Sequence, residues 1–283
     1  MRFQRVGVVG AGVIGSGVAH LFAQTGHDVV LVDVDERQLE TARRNIRKNT
    51  RVYALVSKEH LDPAKVLGRL SFVRDLDAVA DVDFLIENIT EDWDAKREVH
   101  ARIDACIRED VPVAANTSAI PITRLAGLNR HPERVAGMHF MNPVPLMPMV
   151  EVIRGVHTTD ATIAAAEELV RQAGRASIVV NDSPGFVTNR VMMLMVNEAM
   201  FLVYEGVSSP VDVDRLFKTC FGHKMGPLET ADLIGLDTVL RSLDVLYAEF
   251  NDPKYRPCPL LKQKVYAGHL GWKSGRGFHE YER

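Results

Sequence analysis

The chain has 283 residues, 46% of them hydrophobic and 25% charged, a balance expected of a water-soluble globular protein with one large or two ordinary domains. A formal net charge of −3 gives no reason to expect nucleic acid or an anionic membrane as partner, and no apolar run approaches the roughly 18 residues a bilayer span needs. Three scattered cysteines, Cys106, Cys220 and Cys258, suggest neither a disulfide framework nor a metal site, so a reducing, cytoplasmic setting is expected.

The first strand, Val6 to Val9, opens so early that no signal or transit peptide is expected. It runs directly into Gly10-Ala11-Gly12-Val13-Ile14-Gly15, which opens a helical pattern. A strand turning on such a run into a helix is a site for a dinucleotide pyrophosphate. Gly10 permits the tight turn, Gly12 lets backbone approach the phosphates, and Gly15 lets the helix lie close on the strand. The helix start, at Val13 and Ile14, offers N–H groups and a positive dipole end. A second strand, Asp28 to Val32, ends in Asp33, 21 positions after Gly12. An acid at that distance accepts the adenosine ribose hydroxyls and repels a 2′-phosphate. The cofactor reads as NAD rather than NADP, a preference that Arg37 close downstream tempers.

Helical patterns follow at about Glu36 to Arg51 and Pro63 to Leu70, then a strand at Asp83 to Ile86 and a helix at about Asp94 to Arg108. Further strands are read at Val111 to Ala115, Arg134 to Phe140, Met149 to Arg154 and Ala176 to Val180, with a helix from Thr162 to Ala173. Alternating strands and helices predict a Rossmann-type, doubly wound parallel sheet with ligand at the carboxyl ends of the strands. Beyond Asn181-Asp182-Ser183-Pro184-Gly185 only helices are legible. The predicted domains are therefore an α/β domain over 1–182 and an all-α domain over 183–283.

His139 falls at the end of a predicted strand and Glu151 lies 12 positions later, on the next one. A carboxylate beside imidazole raises its basicity and selects its tautomer, which suits proton abstraction from an alcohol as hydride leaves. With 10 His and 37 acidic residues, however, such a pairing has little meaning on its own.

Motifs along nearly the whole chain supply the context. Met138-His139-Phe140-Met141-Asn142-Pro143-Val144-Pro145, Val150-Glu151-Val152, Asp182 to Arg190, Met225 to Glu229 and Gly271 to Phe278 closely resemble the L-3-hydroxyacyl-CoA dehydrogenase family, in its order and spacing. The resemblance implies a general base at His139, oriented by Glu151, and a neutral donor to the substrate oxygen at Asn189. It implies that Ser118 bonds the substrate oxygen or the nicotinamide, where an ordinary helix cap is the plain alternative. Glu91 and Lys96 match positions lining the NAD ribose and nicotinamide region, and Asn142 matches a nicotinamide contact. Taken alone, Lys96 would read as part of a solvated helix face. Surface roles are expected for Arg190 and Lys273, and helix packing for Met192, Met193 and Met195. The reaction implied is oxidation of a 3-hydroxyacyl thioester to the 3-ketoacyl thioester. The helical domain is expected to form a homodimer, although helical spacing assigns most of its apolar residues to its own core.

The resemblance fails at the CoA grip. By ungapped counting, the family's serine and lysine contacts fall at Asn49 and Val56, and Pro148 stands where many members carry Lys. Arg47, Lys48, Arg51 and Lys58 remain nearby as replacements. Glu87 to Trp93 is similar to dehydrogenases of polyketide extender-unit pathways, which implies an acyl-carrier-protein-linked substrate as the alternative. A non-catalytic, crystallin-like dinucleotide-binding protein is the alternative of another class. Such a protein has no need to keep His139, Glu151, Asn189 and Ser118 together.

Overall fold

Near-continuous apolar runs at 6–9, 29–32 and 84–86 make strands that are buried on both faces, the signature of a helix-covered parallel sheet. The computed structural model describes residues 2–57 and 61–282, which divide into two units between residues 183 and 184.

The first unit holds eight strands: β1 (Arg5–Val9), β2 (Asp28–Val32), β3 (Leu70–Val73), β4 (Phe84–Glu87), β5 (Val113–Ala115), β6 (Val135–His139), β7 (Met149–Arg154) and β8 (Ala176–Asn181). They form one sheet in the order β3-β2-β1-β4-β5-β6-β7-β8. The helices of this unit are α1 (Val13–Gln24), α2 (Glu36–Ser57), α3 (Pro63–Gly68), α4 (Trp93–Cys106), α5 (Ile122–Ala126) and α6 (Asp160–Gln172). The chain reverses its direction of travel across the sheet between β1 and β4, so a crevice opens at their carboxyl ends. Phe3, Val8, Phe22, Leu31, Phe84 and Ile86 belong to the core beneath it.

Two features depart from expectation. Leu70–Val73 is an edge strand rather than the end of a helix, because α3 stops at Gly68. Four residues, three half-buried and Ser71 exposed, leave too short a period-2 signal to separate from the helix before them. The sheet is also not wholly parallel: β7 runs antiparallel to β6, and β8 follows β7 in parallel. The link at 140–148 is shorter than the dozen or so residues a parallel crossover requires. That reversal sets His139 directly opposite Glu151.

The second unit comprises α7 (Thr188–Tyr204), α8 (Pro210–Phe221), α9 (Pro227–Ile234), α10 (Leu236–Phe250) and α11 (Pro259–Tyr266). Met193, Val196, Leu228, Val239, Leu243 and Leu246 are in its core. Arg190 is half-buried and engaged rather than solvated: its Nε donates to the Tyr255 hydroxyl at 2.9 Å, and its guanidinium lies 4.4 Å from the Phe250 ring centre. Lys273 pairs with Asp237 at 2.5 Å. Among the described residues, no helix is long and apolar enough to cross a membrane.

His20 of α1 is buried against α2. Thr50 Oγ1 donates to the Ile46 carbonyl at 2.7 Å, so it accepts from His20 Nε2 at 2.9 Å. Burial lowers the imidazole pKa from 6.5 to about 4. Between those values the unfolded chain holds the extra proton, so stability falls as pH falls and is unaffected by this group above 6.5. The loss on going from pH 6.5 to 4 is about 3 kcal/mol. Urea unfolding at pH 4.5 and 7 is expected to show a smaller acid loss in His20→Phe than in the native chain; an equal loss would place the sensitivity elsewhere.

Candidate active site

The glycine turn does what its residue types permit. Gly10 has φ +100°, a conformation costly to any residue with a Cβ. A Cβ on Gly15 would stand 1.9 Å from the Gly10 carbonyl oxygen, so only hydrogen lets α1 begin this close to β1. Nothing lies within 4 Å of a Cβ built on Gly12, whose open side faces a cavity of about 640 Å³. Val13 and Ile14 border the same space with first-turn N–H groups that a helix leaves without an intrahelical carbonyl. Asp33 closes the turn from β2: Oδ2 accepts from Ala11 N at 2.7 Å and Oδ1 from Asp35 N at 2.9 Å. The cavity continues past Asn88, Ile89 and Glu91 to Asn116 and Ser118. Open backbone at Gly12, donors at a helix start and a fixed acid at Asp33 fit a dinucleotide without 2′-phosphate.

At the far end the sheet assembles a relay. His139 and Glu151 are a cross-strand pair, both buried, with His139 Nδ1 2.8 Å from Glu151 Oε2. A carboxylate only accepts, so the ring proton sits on Nδ1 and Nε2 carries the lone pair. Ser118 Oγ lies 3.2 Å from that Nε2. The arrangement therefore has an oriented base, a carboxylate to stabilise its imidazolium form, and a hydroxyl at the base's reactive nitrogen.

Glu91 is placed at the cavity, and one of its oxygens has a second task. Oε1 accepts from Thr117 Oγ1 at 2.6 Å and from the N–H groups of Ser118, Ala119 and Ile120 at 3.0 to 3.3 Å. It thereby holds the loop that carries Ser118. Lys96 is neither on a solvated face nor at the cavity wall. It is fully buried, with Nζ 2.8 and 2.9 Å from the two oxygens of Glu87, also fully buried. His100, one helical turn along α4, brings Nε2 to 3.2 Å from Glu87 Oε2. Burial pushes the Glu87 carboxyl up, and the Lys96 charge with His100 more than offsets this, leaving it below its ordinary value. The role of Lys96 is correspondingly that of a buried counter-ion. Sequence reading passed over this set; its signal was a Lys and a His four apart on α4, downstream of an acid ending an apolar strand.

Asn142 is exposed and borders a smaller cavity with Ser16, His20, Asn49 and Tyr53. Arg47, Lys48 and Arg51 are exposed on α2 beside it, whereas Lys58 and the side chain of Val56 lie outside the described residues. Asn189 occupies the first turn of α7 in the helical unit and is partly exposed.

Residues 5–183 match the family model described as 3-hydroxyacyl-CoA dehydrogenase, NAD binding domain, and residues 185–281 match the one described as 3-hydroxyacyl-CoA dehydrogenase, C-terminal domain. The chain is 43% identical over 283 residues to a protein of Bacillus subtilis (strain 168) named probable 3-hydroxybutyryl-CoA dehydrogenase, covering 100% of this chain and 99% of that one. It is 44% identical over 281 residues to the 3-hydroxybutyryl-CoA dehydrogenase of Bradyrhizobium diazoefficiens, covering 98% of this chain and 95% of that one. The crystal structure of (S)-3-hydroxybutyryl-CoA dehydrogenase from Ralstonia eutropha superposes with a TM-score of 0.92 at 42% identity, covering all of both chains.

Proposed function

Since the chain belongs to the 3-hydroxyacyl-CoA dehydrogenase family, we propose that it oxidises a 3-hydroxyacyl-CoA to the 3-ketoacyl-CoA with NAD, using His139 as general base and Glu151 as its orienting carboxylate. The observation that carries this reading is the Ser118–His139–Glu151 relay at the end of the dinucleotide cavity. Bound NAD supplies the hydride acceptor. His139 Nε2 takes the hydroxyl proton as the C3–H bond breaks, and the imidazolium formed donates to the new keto oxygen. Glu151 stabilises that imidazolium across the sheet. Ser118 orients the substrate oxygen from the loop held by Glu91. Asn189 is assigned a neutral donor role on its motif, Asp182 to Arg190, and Asn142 a nicotinamide contact on its own. The pyrophosphate is assigned to Gly10, Gly12, Val13, Ile14 and Gly15, and the adenosine ribose to Asp33.

Relatives named for CoA thioesters support CoA as the carrier, and 3-hydroxybutyryl-CoA as the acyl class. Exposed Arg47, Lys48 and Arg51 are suited to its phosphates. Following NADH absorbance with acetoacetyl-CoA tests this directly. Turnover at micromolar substrate is expected; turnover confined to a carrier-protein-bound acyl group would replace the CoA reading.

Asp33→Ala is expected to weaken NADH binding about tenfold and NADPH binding less, since an acceptor in a charge-assisted bond is worth about 1.5–3 kcal/mol. Fluorescence titration with both cofactors checks this, and an unchanged preference would move cofactor choice away from β2.

We also propose a homodimer through the helical unit, where Val211, Leu216 and Phe221 of α8 are more than half exposed. Light scattering on the purified chain is expected to give twice the monomer mass, and Phe221→Glu to lower it. The free state of Cys106, Cys220 and Cys258 is compatible with a cytoplasmic enzyme.

A further inference from the structure

Between β5 and β6 the ladder ends early. Its last register pair is Ala115 with Gly137, two residues short of His139. Asn116, the first residue past β5, takes over with its side chain. Its Oδ1 accepts the N–H of Phe140, the residue after His139, at 3.2 Å.

The orientation of that amide is determined by its neighbours. Asn88 Nδ2 donates to the Ile86 carbonyl at 3.0 Å, which turns Asn88 Oδ1 toward Asn116. Asn116 Nδ2 donates to that oxygen at 2.9 Å, so Oδ1 is left facing Phe140. The backbone of Asn116 is equally engaged. Its N–H donates to the Glu87 carbonyl at 2.8 Å, and its carbonyl accepts the third donor of Lys96 at 3.3 Å. Behind it, Lys96 is held by Glu87, and Glu87 by His100 and the Ile89 N–H.

We propose that Asn116 is the positioning residue that ties the His139 end of β6 to the buried Glu87–Lys96–His100 set. The inference rests on the reading of His139 as the base. The side of His139 facing β7 is aligned by Glu151; on the side facing β5 the Asn116 amide holds the next backbone N–H, at Phe140, while the Ser118 hydroxyl meets Nε2. Asn116 acts through Phe140 N and needs no contact with substrate. Misplacing a catalytic group by about 1 Å costs on the order of 100-fold in rate, which sets the scale of the effect.

The test is a double-mutant cycle with Asn116→Ala, Asn88→Ala and the double variant, measured beside His139→Gln. The readouts are kcat with acetoacetyl-CoA and the NADH Kd by fluorescence. Asn116→Ala is expected to lower kcat about 30-fold and Asn88→Ala about fivefold, with NADH Kd within about threefold of native. The double variant is expected to match Asn116→Ala alone, because both act through one bond. A kcat within threefold of native for Asn116→Ala overturns the proposal. So do losses that multiply in the double variant, or a loss confined to NADH binding, which would make Asn116 only a cavity wall. If Asn116→Ala fails to fold, Asn88→Ala decides: a lowered kcat at unchanged NADH Kd supports the tie, and an unchanged kcat overturns it. A fully active His139→Gln would sink the base assignment itself. An inactive His139→Gln beside a native-like Asn116→Ala would sink only the positioning.

Discussion

His139→Gln is expected to lower kcat by about 10³–10⁴-fold while leaving NADH affinity within about twofold of native. His139 does not line the dinucleotide cavity, whereas its neighbour Phe140 and its partner Ser118 do, so the ring can be lost without reshaping the cofactor's walls. Glutamine keeps an uncharged polar side chain of similar reach, and urea unfolding checks that the fold survives loss of the Nδ1 donor to Glu151. Glu151→Gln makes the complementary case. Its amide can donate to Nδ1, which would place the ring proton on Nε2 and leave no lone pair facing Ser118. A loss nearly as deep as that of His139→Gln is expected. Stopped-flow turnover and NADH fluorescence on both variants separate chemistry from binding, and native turnover in His139→Gln would discard the mechanism.

Lys96→Met is expected to destabilise the first unit by about 3–5 kcal/mol, the cost of leaving a buried carboxylate without its counter-charge. The Glu87 carboxyl is held below its ordinary value in the native chain, so the pair contributes stability above that value and loses it only as pH falls through the lowered one. In Lys96→Met, burial acts on Glu87 with one opposing charge fewer, and the carboxyl should titrate higher. Combining Lys96→Met with Glu87→Gln is expected to recover much of the loss, since no charge is then buried. Urea unfolding of the native chain and both variants measures this. A native-like midpoint with weakened NADH would instead return Lys96 to the cofactor site.

Much of this was legible from residue order, for reasons that differ by element. The glycine turn and Asp33 are local: strand, turn, helix and acid lie within one βαβ unit, and each has a backbone reason for its residue type. The His139–Glu151 pair was legible only through the motifs around it, because a bare sequence offers too many imidazole and carboxylate pairings to choose from. Its geometry depends on the antiparallel turn of β7, a departure that alternating strands and helices do not announce. The solvated-face reading of Lys96 does not hold. A Lys on a helix is ordinarily solvated, and only the fold shows that α4 turns it inward onto the acid ending β4. Likewise Arg190 looked superficial because its acceptor, the hydroxyl of Tyr255, is 65 positions away.

The placement of base and carboxylate on adjoining strands also says where this enzyme can be redesigned. Their separation is dictated by main-chain spacing and not by the segment at 140–148 that joins them. Exchanging residues of that segment past Asn142, clear of the Asn116 tie at Phe140, should leave the proton-transfer pair aligned. Inserting a single residue inside β7 ahead of Glu151 is a different intervention. It would turn the carboxylate to the opposite side of the sheet and silence the enzyme while the cofactor still bound.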